Sequence, residues 1–587
     1  MFRPVSNQVD FVKQEHEVLD FWERTSAFEK LREKVRGGPR FSFIDGPITA
    51  NNPMGVHHAW GRTFKDIFQR YRAMLGFDQR WQNGFDCQGL WVEVEVEKEQ
   101  GFKSKRDIED FGLDEFVNLC KQRVLEYAAV QTQQSTRLGY WMDWNDLAML
   151  RELKAGMAKD PTQVITMEGP NGPVTDTVEL MVGRLGLPEM GGSYFTFSNE
   201  NNYSIWTALK KCHDNGWIYK GRDVMPWCGR CGTAISQHEI VTEGYRELTH
   251  TSVFLRFPLR ERPGEDLLIW TTTPWTLTSN VVAAVHPELP YVLVEQGERR
   301  FWLSKGALDN ALRGSYTVLD QKPGTELEGW TYDGPFDELP AQQESGSVPA
   351  HRVIIWEEVG EAEGTGIVHI APGCGAEDFS LGQELDLPAV APLSDVGIFL
   401  EGFDWLTGMN VHDTAQPVFE DLERKGLLYR LEDYEHRYPV CWRCQEELVF
   451  RLVDEWFVGM GELLDKPYAQ VTPAEKESRL RYQIMDSVQE TRWIPGFGFE
   501  REMDWLRNMH DWMISKKRYY GLALPIWECE ECGWFDVVGS KEELKDRAVD
   551  GWEEFEGRPP HRPYVDAVKI RCEGCGSTVS RVSDVGN

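Results

Sequence analysis

IDGPITANNPMGVHHAWGRTFKD, residues 44–66, decides the fold, because it joins a short strand to a helix through a polar loop. FSFIDGP (41–47) predicts a strand that ends at a Gly-Pro break, and apolar residues at helical spacing run from Gly55 to about Leu75. Strand, loop and helix in this order form the opening unit of a nucleotide-binding α/β sheet. We therefore predict an α/β fold.

Two adjacent histidines, His57 and His58, lie where the loop enters this helix. The N-terminus of a helix attracts phosphate through its unpaired N–H groups and its dipole, and imidazoles there can neutralise charge on a transferring phosphate. An exposed histidine pair at an ordinary helix start is the alternative. Neither a Walker A sequence nor Gly-x-Gly-x-x-Gly occurs, so P-loop and dinucleotide sites lose their main sequence support.

A second polar turn follows in GFDCQGLWVEVEVEK, residues 84–98. Asp86 lies between Gly84 and Gly89, where a carboxylate is well placed to bind an ammonium group. The same residue type also forms Asx turns, so a purely structural role stays open.

Composition limits the class of protein. At about 150 residues per domain, 587 residues make about four domains, and 12% aromatic residues argue against disorder. The net charge of −32 excludes a polycationic nucleic-acid coat but allows a basic groove on an acidic body. No apolar run reaches the roughly 18 residues of a membrane helix, and MFRPVSNQVDF has no apolar signal region. We therefore expect a cytoplasmic protein.

Eight of the twelve cysteines form four Cys-x-x-Cys pairs. The pairs are Cys228 with Cys231, Cys441 with Cys444, Cys529 with Cys532, and Cys572 with Cys575. Two such turns point four thiolates at one tetrahedral metal ion, so the four pairs predict two structural Zn²⁺ sites. Redox pairs of the thioredoxin type usually open a helix in a βαβ unit, which none of these does, and accidental thiols are the remaining alternative.

The rest of the chain divides by composition and pattern. A helix is predicted over 9–36, and residues 1–145 form the first domain. A Gly/Pro-containing insertion follows at 146–192, around one helical stretch (178–185), and a connecting segment at 193–249 contains the first cysteine pair. A β-rich, barrel-like module is predicted at 250–430. The return segment at 431–500 contains the second cysteine pair, and the partial re-entry into the first domain at 501–587 contains the last two pairs as a second zinc ribbon. The first two pairs thus flank the β-rich module.

Six pieces of the sequence together resemble a class I aminoacyl-tRNA synthetase, and specifically an isoleucyl-tRNA synthetase. They are the segment at 44–66, GFDCQGLWVEVEVEK, PWCGRCGTAISQHE, WTTTPWTLTSN, GTGIVHIAPGCGAEDF and RNMHDWMISKKRYYG, in the order of the family. The resemblance covers nearly the whole chain except 146–192. WTTTPWTLTSN (270–280) is the most specific piece, because valyl and leucyl relatives typically have Arg at Thr273 and an acidic residue at Trp275.

The resemblance implies the first half of a class I Rossmann-like nucleotide-binding fold with an inserted β-rich editing domain (250–430). It implies an isoleucine–tRNA ligase that uses ATP with Mg²⁺, binds isoleucine and tRNA(Ile), and hydrolyses valyl-tRNA(Ile) made in error. One methylene is worth only about 1–3 kcal/mol of discrimination, and isoleucine against valine is the standard case of this limit.

The same resemblance implies that His57 and His58 are the catalytic residues. The implied isoleucine-binding residues are Pro47, through its carbonyl, Asp86 and Gln88, which stands where the family often has His. His58 matches the last His of the His-x-Gly-His signature, but Gly55 stands at the first His position and His57 at the Gly position. Either His57 substitutes for the lost imidazole or contact with the phosphates is weaker.

The resemblance also implies an editing site. Its residues are Thr271, Thr272, Thr273, Trp275 and Asn280 from the threonine-rich peptide, and His369 and Asp378 from the second peptide. Asp378 binds the ammonium group of the substrate, the hydroxyls and His369 position the aminoacyl adenosine, and water attacks the ester. Cys374 is expected to be a buried structural thiol. An ordinary strand is the alternative for the threonines.

The family's Lys-Met-Ser-Lys-Ser loop and helical anticodon-binding domain do not occur in this sequence, which ends at VSDVGN. We expect an N-terminal portion with editing intact and activation incomplete, monomeric or associated with the missing half, and with exposed apolar surface. The alternatives are a non-catalytic zinc-ribbon RNA-binding fragment and a valyl or leucyl enzyme. Lys516, Lys517 and Arg518 form a basic cluster that suits either phosphate contact or a solvated helix face.

Overall fold

The computed structural model of the chain describes residues 8–586 except 42, 44, 236–239 and 241–243. The chain divides into two compact units: unit 1 is Met1–Tyr219 with Phe457–Asn587, and unit 2 is Lys220–Trp456. The predicted β-rich module lies inside unit 2. None of the helices in the described part of the chain is long and apolar enough to span a membrane.

Helices dominate unit 1 and are short in unit 2. In chain order the α-helices are α1 Phe11–Thr25, α2 Ala27–Val35, α3 Val56–Met74, α4 Leu90–Gln100, α5 Lys105–Phe111, α6 Leu113–Arg137, α7 Leu147–Lys159, α8 Val178–Val182, α9 Asn199–Asp214, α10 Leu308–Ala311, α11 Pro340–Glu344, α12 Ser347–Ala350, α13 Ala376–Glu384, α14 Ala415–Arg424, α15 Pro473–Glu477, α16 Leu480–Glu490, α17 Gly498–Asn508, α18 Lys541–Arg547 and α19 Trp552–Phe555. The single helix predicted over 9–36 is wrong, because Ser26 adopts a left-handed conformation (φ 48°) that ends α1.

The strands are short in unit 1 and longer in unit 2. They are β1 Arg40–Phe41, β2 Ile48–Thr49, β3 Asp78–Gln79, β4 Gly84–Asp86, β5 Val164–Gly169, β6 Gly172–Thr177, β7 Tyr194–Phe195, β8 Ile218–Cys228, β9 Thr233–Ala234, β10 Tyr245–Pro258, β11 Glu265–Thr271, β12 Val282–Val285, β13 Pro290–Gln296, β14 Arg299–Ser304, β15 Thr317–Pro323, β16 Val353–Ile355, β17 Ile367–Ile370, β18 Leu428–Pro439, β19 Val449–Val458, β20 Trp512–Met513, β21 Ser515–Lys516, β22 Ile526–Glu528, β23 Phe535–Val537, β24 Ala548–Asp550, β25 Lys569–Arg571, β26 Thr578–Val579 and β27 Val585–Gly586.

Unit 1 contains a small parallel sheet in the order β2-β4-β7, and β1 pairs in parallel with β3. Parallel neighbours need crossover connections, which helices supply here, so the predicted α/β class is confirmed. The strand predicted over 41–47 is largely wrong: of its described residues only Phe41 lies in a strand, and residues 42 and 44 lie outside the described residues. The helix predicted from Gly55 matches α3.

The segment 146–192 has more regular structure than its composition predicts. Helix α7 precedes an antiparallel hairpin of β5 and β6, and α8 ends at Val182 instead of 185. Helix α7 escaped prediction although Leu150, Leu153 and Met157 are buried at helical spacing. Their burial in the unit 1 core, together with Val178, ties this segment to the domain.

In the described part of the chain, two sheets lie entirely within unit 2. The first is six-stranded in the order β15-β13-β14-β11-β10-β18, and the second is three-stranded in the order β16-β12-β17. Strands β11 and β17 lie beside each other, although almost 100 residues separate them in sequence. Because the two strands are neighbours, Thr271 at the end of β11 lies near His369 in β17.

The basic cluster at 516–518 does not form a solvated helix face. Lys516 lies in strand β21, and Lys517 Nζ lies 2.9 Å from an Asp584 carboxylate oxygen. Arg518 is buried, with Nε 2.5 Å from Glu93 Oε2 and a further ion pair to Glu97. Glutamates of α4 therefore neutralise the arginine inside unit 1.

We expect Arg518→Met to destabilise unit 1 by about 3–5 kcal/mol, because it leaves two buried carboxylates without their partner. Thermal and urea unfolding followed by circular dichroism measure the change. Lys545→Ala is the matched control, since Lys545 pairs with Glu556 where both side chains are 57% exposed. A midpoint shift for Arg518→Met no larger than that of the control would contradict the buried ion pair.

Candidate functional site

A cavity of about 550 Å³ lies in unit 2, where β11 and β17 meet. Its lining residues are Trp270, Thr271, Thr272, Thr273, Thr276, Gly360, Ala362, Glu363, Thr365, Gly366, Ile367, Val368, His369, Cys374, Gly375 and Asp378. Five of the seven residues predicted for an editing site are among them. Two peptides almost 100 residues apart therefore share one cavity.

The threonine-rich peptide turns sharply at the cavity wall. Strand β11 ends at Thr271, and a 3₁₀ helix begins at Pro274, where the missing N–H of proline costs no hydrogen bond. The Thr273 N–H donates to Thr271 Oγ1 at 3.1 Å, and the hydroxyl oxygens of the two residues lie 3.2 Å apart. The turn thus holds these hydroxyls side by side.

His369 is held by a residue that sequence reasoning missed. The Thr276 hydroxyl donates to the carbonyl of Thr273 at 2.8 Å, and His369 Nε2 lies 3.0 Å from the same hydroxyl oxygen. Because the hydroxyl has one proton to give, we infer that His369 donates through Nε2–H and carries its lone pair on Nδ1. Burial lowers the pKa of His369 to about 4, so the ring is neutral at pH 7. The signal for Thr276 is its position one turn after Thr273.

Asp378 supplies negative charge to the cavity. It is the third residue of α13, and its Oδ2 accepts the Ala371 N–H at 2.8 Å. A Cβ at Gly375 would lie 2.9 Å from the carboxyl carbon, so only glycine leaves room for this side chain. Burial raises the pKa of Asp378 to about 6, which leaves the group mostly ionised at pH 7.

The structure places the other residues of the two peptides differently. Trp275 lines a neighbouring cavity of about 500 Å³, which shares Thr272 and Thr273 with the first. Asn280 is buried and accepts a hydrogen bond from the Tyr332 hydroxyl at 2.8 Å, away from both sets of lining residues. Cys374 does line the first cavity, but burial raises its pKa to about 12, so the thiol stays protonated.

A second cleft, of about 360 Å³, lies in unit 1 at the start of α3. Its lining includes three residues that the sequence predicted for this site: Pro47, His57 and His58. It also includes Arg62 and Lys65. The Gly55 N–H donates to His58 Nδ1 at 3.1 Å, which leaves Nε2 to carry the proton of the neutral ring. Burial, together with the charges of His57 and Arg62, lowers the pKa of His58.

Arg62 and Lys65 were missed by sequence reasoning, although they follow His58 by one and two helical turns. Arg62 is only 3% exposed, and its Nη1 donates to Ser135 Oγ at 2.6 Å. Lys65 forms an ion pair with Asp45. The cleft therefore combines two imidazoles with two cationic side chains.

Asp86 and Gln88 lie next to the cleft and are not among its lining residues. Asp86 pairs with Thr49 in the parallel sheet, and the Thr49 hydroxyl donates to Asp86 Oδ2 at 2.8 Å. Burial raises the pKa of Asp86. The Gln88 amide donates to the Thr196 carbonyl at 2.8 Å, while its Oε1 is buried without a partner in the described structure.

The four Cys-x-x-Cys pairs form two groups of four thiols, one in each unit. Cys228 and Cys231 meet Cys441 and Cys444 with Sγ–Sγ distances of 3.4–4.0 Å. The second group is Cys529, Cys532, Cys572 and Cys575, with Sγ–Sγ distances of 3.5 and 3.6 Å. A tetrahedral ion with Zn–S bonds of about 2.3 Å needs sulfurs about 3.8 Å apart, so each group can hold a metal ion.

Comparison with known proteins shows which family this chain matches. The family described as tRNA synthetases class I (I, L, M and V) matches residues 17–165 and 175–560, and the gap between them falls in the β5–β6 hairpin. The isoleucine–tRNA ligase of Methanothermobacter thermautotrophicus is 35% identical over 574 residues, which are 97% of this chain and 48% of that protein. The isoleucine–tRNA ligase of Thermus thermophilus is 36% identical over 590 residues, which are 99% of this chain and 49% of that protein.

The chain spans about half the length of the curated relatives that it matches. The family match covers both units and includes the α3 cleft, the threonine-rich peptide and six of the eight paired cysteines, since Cys572 and Cys575 lie beyond its end at residue 560. The resemblance on which the sequence interpretation rests is therefore confirmed at the level of the family, and the chain belongs to the class I tRNA synthetases of the isoleucine, leucine, methionine and valine group.

Proposed function

We propose that this chain is part of an isoleucine–tRNA ligase and that unit 2 hydrolyses valyl-tRNA(Ile). The observation that carries the proposal is the shared cavity: Thr271, Thr272 and Thr273 line the same space as His369 and Asp378. An esterified amino acid brings an ammonium group and an ester, and this cavity offers a carboxylate and hydroxyl groups for them.

Recognition of the amino acid begins with charge. The ionised Asp378 binds the substrate ammonium group inside a cavity where burial strengthens the attraction. The hydroxyls of Thr271 and Thr273, held 3.2 Å apart, offer hydrogen bonds to the ester and the ribose. These contacts hold the ester in place while leaving its carbonyl open to attack.

Hydrolysis proceeds by direct attack of water. His369 is neutral and lines the cavity, so it shapes the space for the substrate without adding a charge there. Thr276 fixes the ring orientation through Nε2. The Cys374 thiol stays protonated because its pKa is about 12, which excludes it as a nucleophile at neutral pH. Water adds to the ester carbonyl and the acyl–oxygen bond breaks, while a proton of the water passes to the leaving ribose oxygen, so the products are valine and tRNA with a free ribose hydroxyl.

The cleft of unit 1 is proposed to take part in amino acid activation by the whole protein. His58 Nε2–H, Lys65 and the N-terminus of α3 provide donors and positive charge for the ATP phosphates, with Mg²⁺ bound by the nucleotide. His57, which lines the same cleft, would substitute for the imidazole that Gly55 lacks. The Pro47 carbonyl and Asp86, with Gln88 beside it, would receive the amino group of isoleucine.

Two structural zinc ions are proposed, one in each four-cysteine group. Zinc holds four thiolates tetrahedrally and leaves no open position, so these ions stabilise the folds around them and take no part in catalysis. Eight thiols kept as metal ligands fit a reducing compartment such as the cytoplasm.

We expect Asp378→Asn to lower kcat/KM for valyl-tRNA(Ile) deacylation by about 30-fold, because losing a buried charge pair costs at least about 2 kcal/mol. Release of radiolabelled valine from purified valyl-tRNA(Ile) measures the rate. Glu377→Gln is the matched control, since Glu377 precedes Asp378 on the same helical turn but is exposed.

Two outcomes would overturn this assignment. Deacylation by Asp378→Asn at the rate of the control would remove Asp378 from its role. Binding of tRNA(Ile) by the unaltered chain, without hydrolysis of the valyl ester, would favour a non-catalytic RNA-binding protein instead.

The deacylation rate should fall tenfold per pH unit as the pH drops below about 6. Burial raises the pKa of Asp378, so protons neutralise this carboxylate at a higher pH than they would an exposed aspartate, and the substrate ammonium group then loses its partner. Rates between pH 5 and 8, corrected for spontaneous hydrolysis, test this. Asp378→Asn should lack the step near pH 6, and a step retained in that variant would assign it to another group.

Metal analysis of the purified chain should give two zinc ions. Cys441→Ser and Cys572→Ser should each lower the content to one, because three thiolates hold zinc less tightly than four. Cys212→Ser, outside both groups, should leave two ions bound. A zinc-free chain with unchanged thermal stability would contradict the structural role.

A further inference from the structure

The parallel strands β4 and β7 bring two chain segments together at one edge of a sheet in unit 1. In their register Phe85 lies opposite Phe195, so Asp86 at the end of β4 lies beside Thr196, directly after β7. The Thr196 hydroxyl hydrogen-bonds to Asp86, and the Thr196 carbonyl accepts from the Gln88 side chain at 2.8 Å. Ligands of open parallel sheets bind outside the carboxyl ends of the strands, which is where these side chains lie.

The side-chain amide of Gln88 has both of its protons engaged. Its Nε2 donates to the Thr196 carbonyl and, at 3.2 Å, to Asn202 Oδ1. Because a carbonyl oxygen can only accept, the amide nitrogen has to face these two residues, and Oε1 points to the other side. Oε1 is buried and has no partner among the described residues. The atom that Gln88 has left for a ligand is therefore an acceptor.

The orientation of Asn202 is fixed by the main chain around it. Asn202 is fully buried in the first turn of α9, and its Nδ2 donates to the carbonyls of Phe197 and Ser198 at 3.0 and 3.1 Å. A reversed amide would set Oδ1 against these two carbonyls and leave buried polar groups unpaired, which is costly. Asn202 can therefore offer Gln88 only an acceptor.

His561 extends this hydrogen-bond chain. Its Nε2 lies 3.1 Å from Asn202 Nδ2, and the ring is buried. Burial, together with the charge of Lys121, lowers the pKa of His561 well below its ordinary value, so the ring is neutral. Since Nδ2 is a donor, His561 Nε2 accepts, and the ring proton is on Nδ1. The hydrogen bonds thus run in one direction, from Gln88 to Asn202 and from Asn202 to His561.

We propose that Asn202 is a positioning residue for the amino acid site of unit 1: it holds the Gln88 amide so that Oε1 accepts a hydrogen bond from the substrate ammonium group. This inference rests on the proposed role of the region in amino acid activation. The main-chain N–H of Gln88 donates to the Asp86 carboxylate, so charge and acceptor lie close together. A reversed Gln88 amide would present N–H groups to an ammonium group, which cannot accept them. Asn202 therefore decides whether Gln88 attracts the amine or repels it.

The test is isothermal titration calorimetry of the 587-residue chain with two probes. One is a sulfamate analogue of isoleucyl-adenylate, and the other is the same compound without its α-amino group. Gln88→Leu and Asn202→Leu should each weaken binding of the amino compound by at least about tenfold, because a hydrogen bond to a charged group is lost or misdirected. Binding of the deamino compound should change by less than about twofold.

The matched control is Asn215→Leu. Asn215 is exposed at the C-terminal end of the same helix, α9, and its side chain bonds only locally, to the Lys211 carbonyl. Both probes should bind this variant within about twofold of the unaltered chain. Circular dichroism of every variant should show the fold retained.

Gln88→Glu separates positioning from simple attraction. If Gln88 acted only by being near the amine, the added negative charge would tighten binding of the amino compound. In the proposed arrangement a carboxylate oxygen would face the Thr196 carbonyl and Asn202 Oδ1, two acceptors. We therefore expect binding of the amino compound to weaken at least about threefold. Tighter binding would overturn the proposal.

The direction of the hydrogen bonds can also be read without a ligand. In ¹⁵N-histidine NMR spectra of the chain, the signals that His561→Leu removes should show a neutral ring with its proton on Nδ1. A proton on Nε2 would mean that Asn202 turns Oδ1 toward His561 and Nδ2 toward Gln88. The Gln88 amide would then be reversed, and the proposal would be wrong.

The calorimetry distinguishes failure of this inference from failure of the proposed activation site. If Asn202→Leu weakened binding of both probes equally, Asn202 would have a purely structural role, and the site itself would stand. If the unaltered chain bound neither probe, the assignment of this region to activation would fall, and the role of Asn202 with it. Neither result would affect the proposal for unit 2.

Discussion

The neighbouring positions of strands β11 and β17 are the constraint on which the unit 2 cavity depends. From Thr271 the chain turns through a short 3₁₀ helix into β12, and β12 pairs antiparallel with β17. In that register Ala283 lies opposite His369. Because strand side chains alternate between faces, a shift of one residue would turn His369 away from Thr276 and the cavity.

Burial then sets the chemistry of the cavity, and it moves two pKa values in opposite directions. The same loss of water keeps His369 neutral at pH 7 and raises the pKa of Asp378 toward 6. Each shift disfavours the charged form of its group. The cavity thus combines a neutral imidazole with a carboxylate that remains mostly ionised at pH 7, an arrangement suited to a cationic substrate that water attacks.

Unit 1 differs from unit 2 in that it buries several charged side chains, and a buried charge is costly unless it has a partner of opposite charge. Arg518 lies between Glu93 and Glu97, and Lys121 lies 2.8 Å from Glu179 with both side chains nearly fully buried. Arg62 on α3 is buried as well, and its Nη1 donates to the Ser135 hydroxyl. The pairs of Arg518 with Glu93 and of Lys121 with Glu179 join segments that are far apart in sequence.

The sequence by itself determined the α/β class, the helix from Gly55, the family and the four Cys-x-x-Cys pairs, because each is carried by short motifs or by local spacing. The sequence also identified the two peptides that line the unit 2 cavity, which are the threonine-rich peptide and the peptide that contains His369 and Asp378. The break at Ser26 and the burial of Arg518 were not predicted, since they depend on backbone conformation or on partners distant in sequence. Helix α7 was missed although its buried residues stand at helical spacing.

Only the tertiary structure decided which residues of a motif reach the cavity. Trp275 and Asn280 belong to the same peptide as Thr271, yet one lines the neighbouring cavity and the other bonds to Tyr332. Thr276 stands one turn after Thr273 in the sequence, but only the strand register shows that His369 lies beside it. The exposure of Trp60 and Phe64 on α3 likewise follows from packing. An apolar spacing shows that a helix has an apolar side, and only the neighbours of the helix decide whether that side is covered.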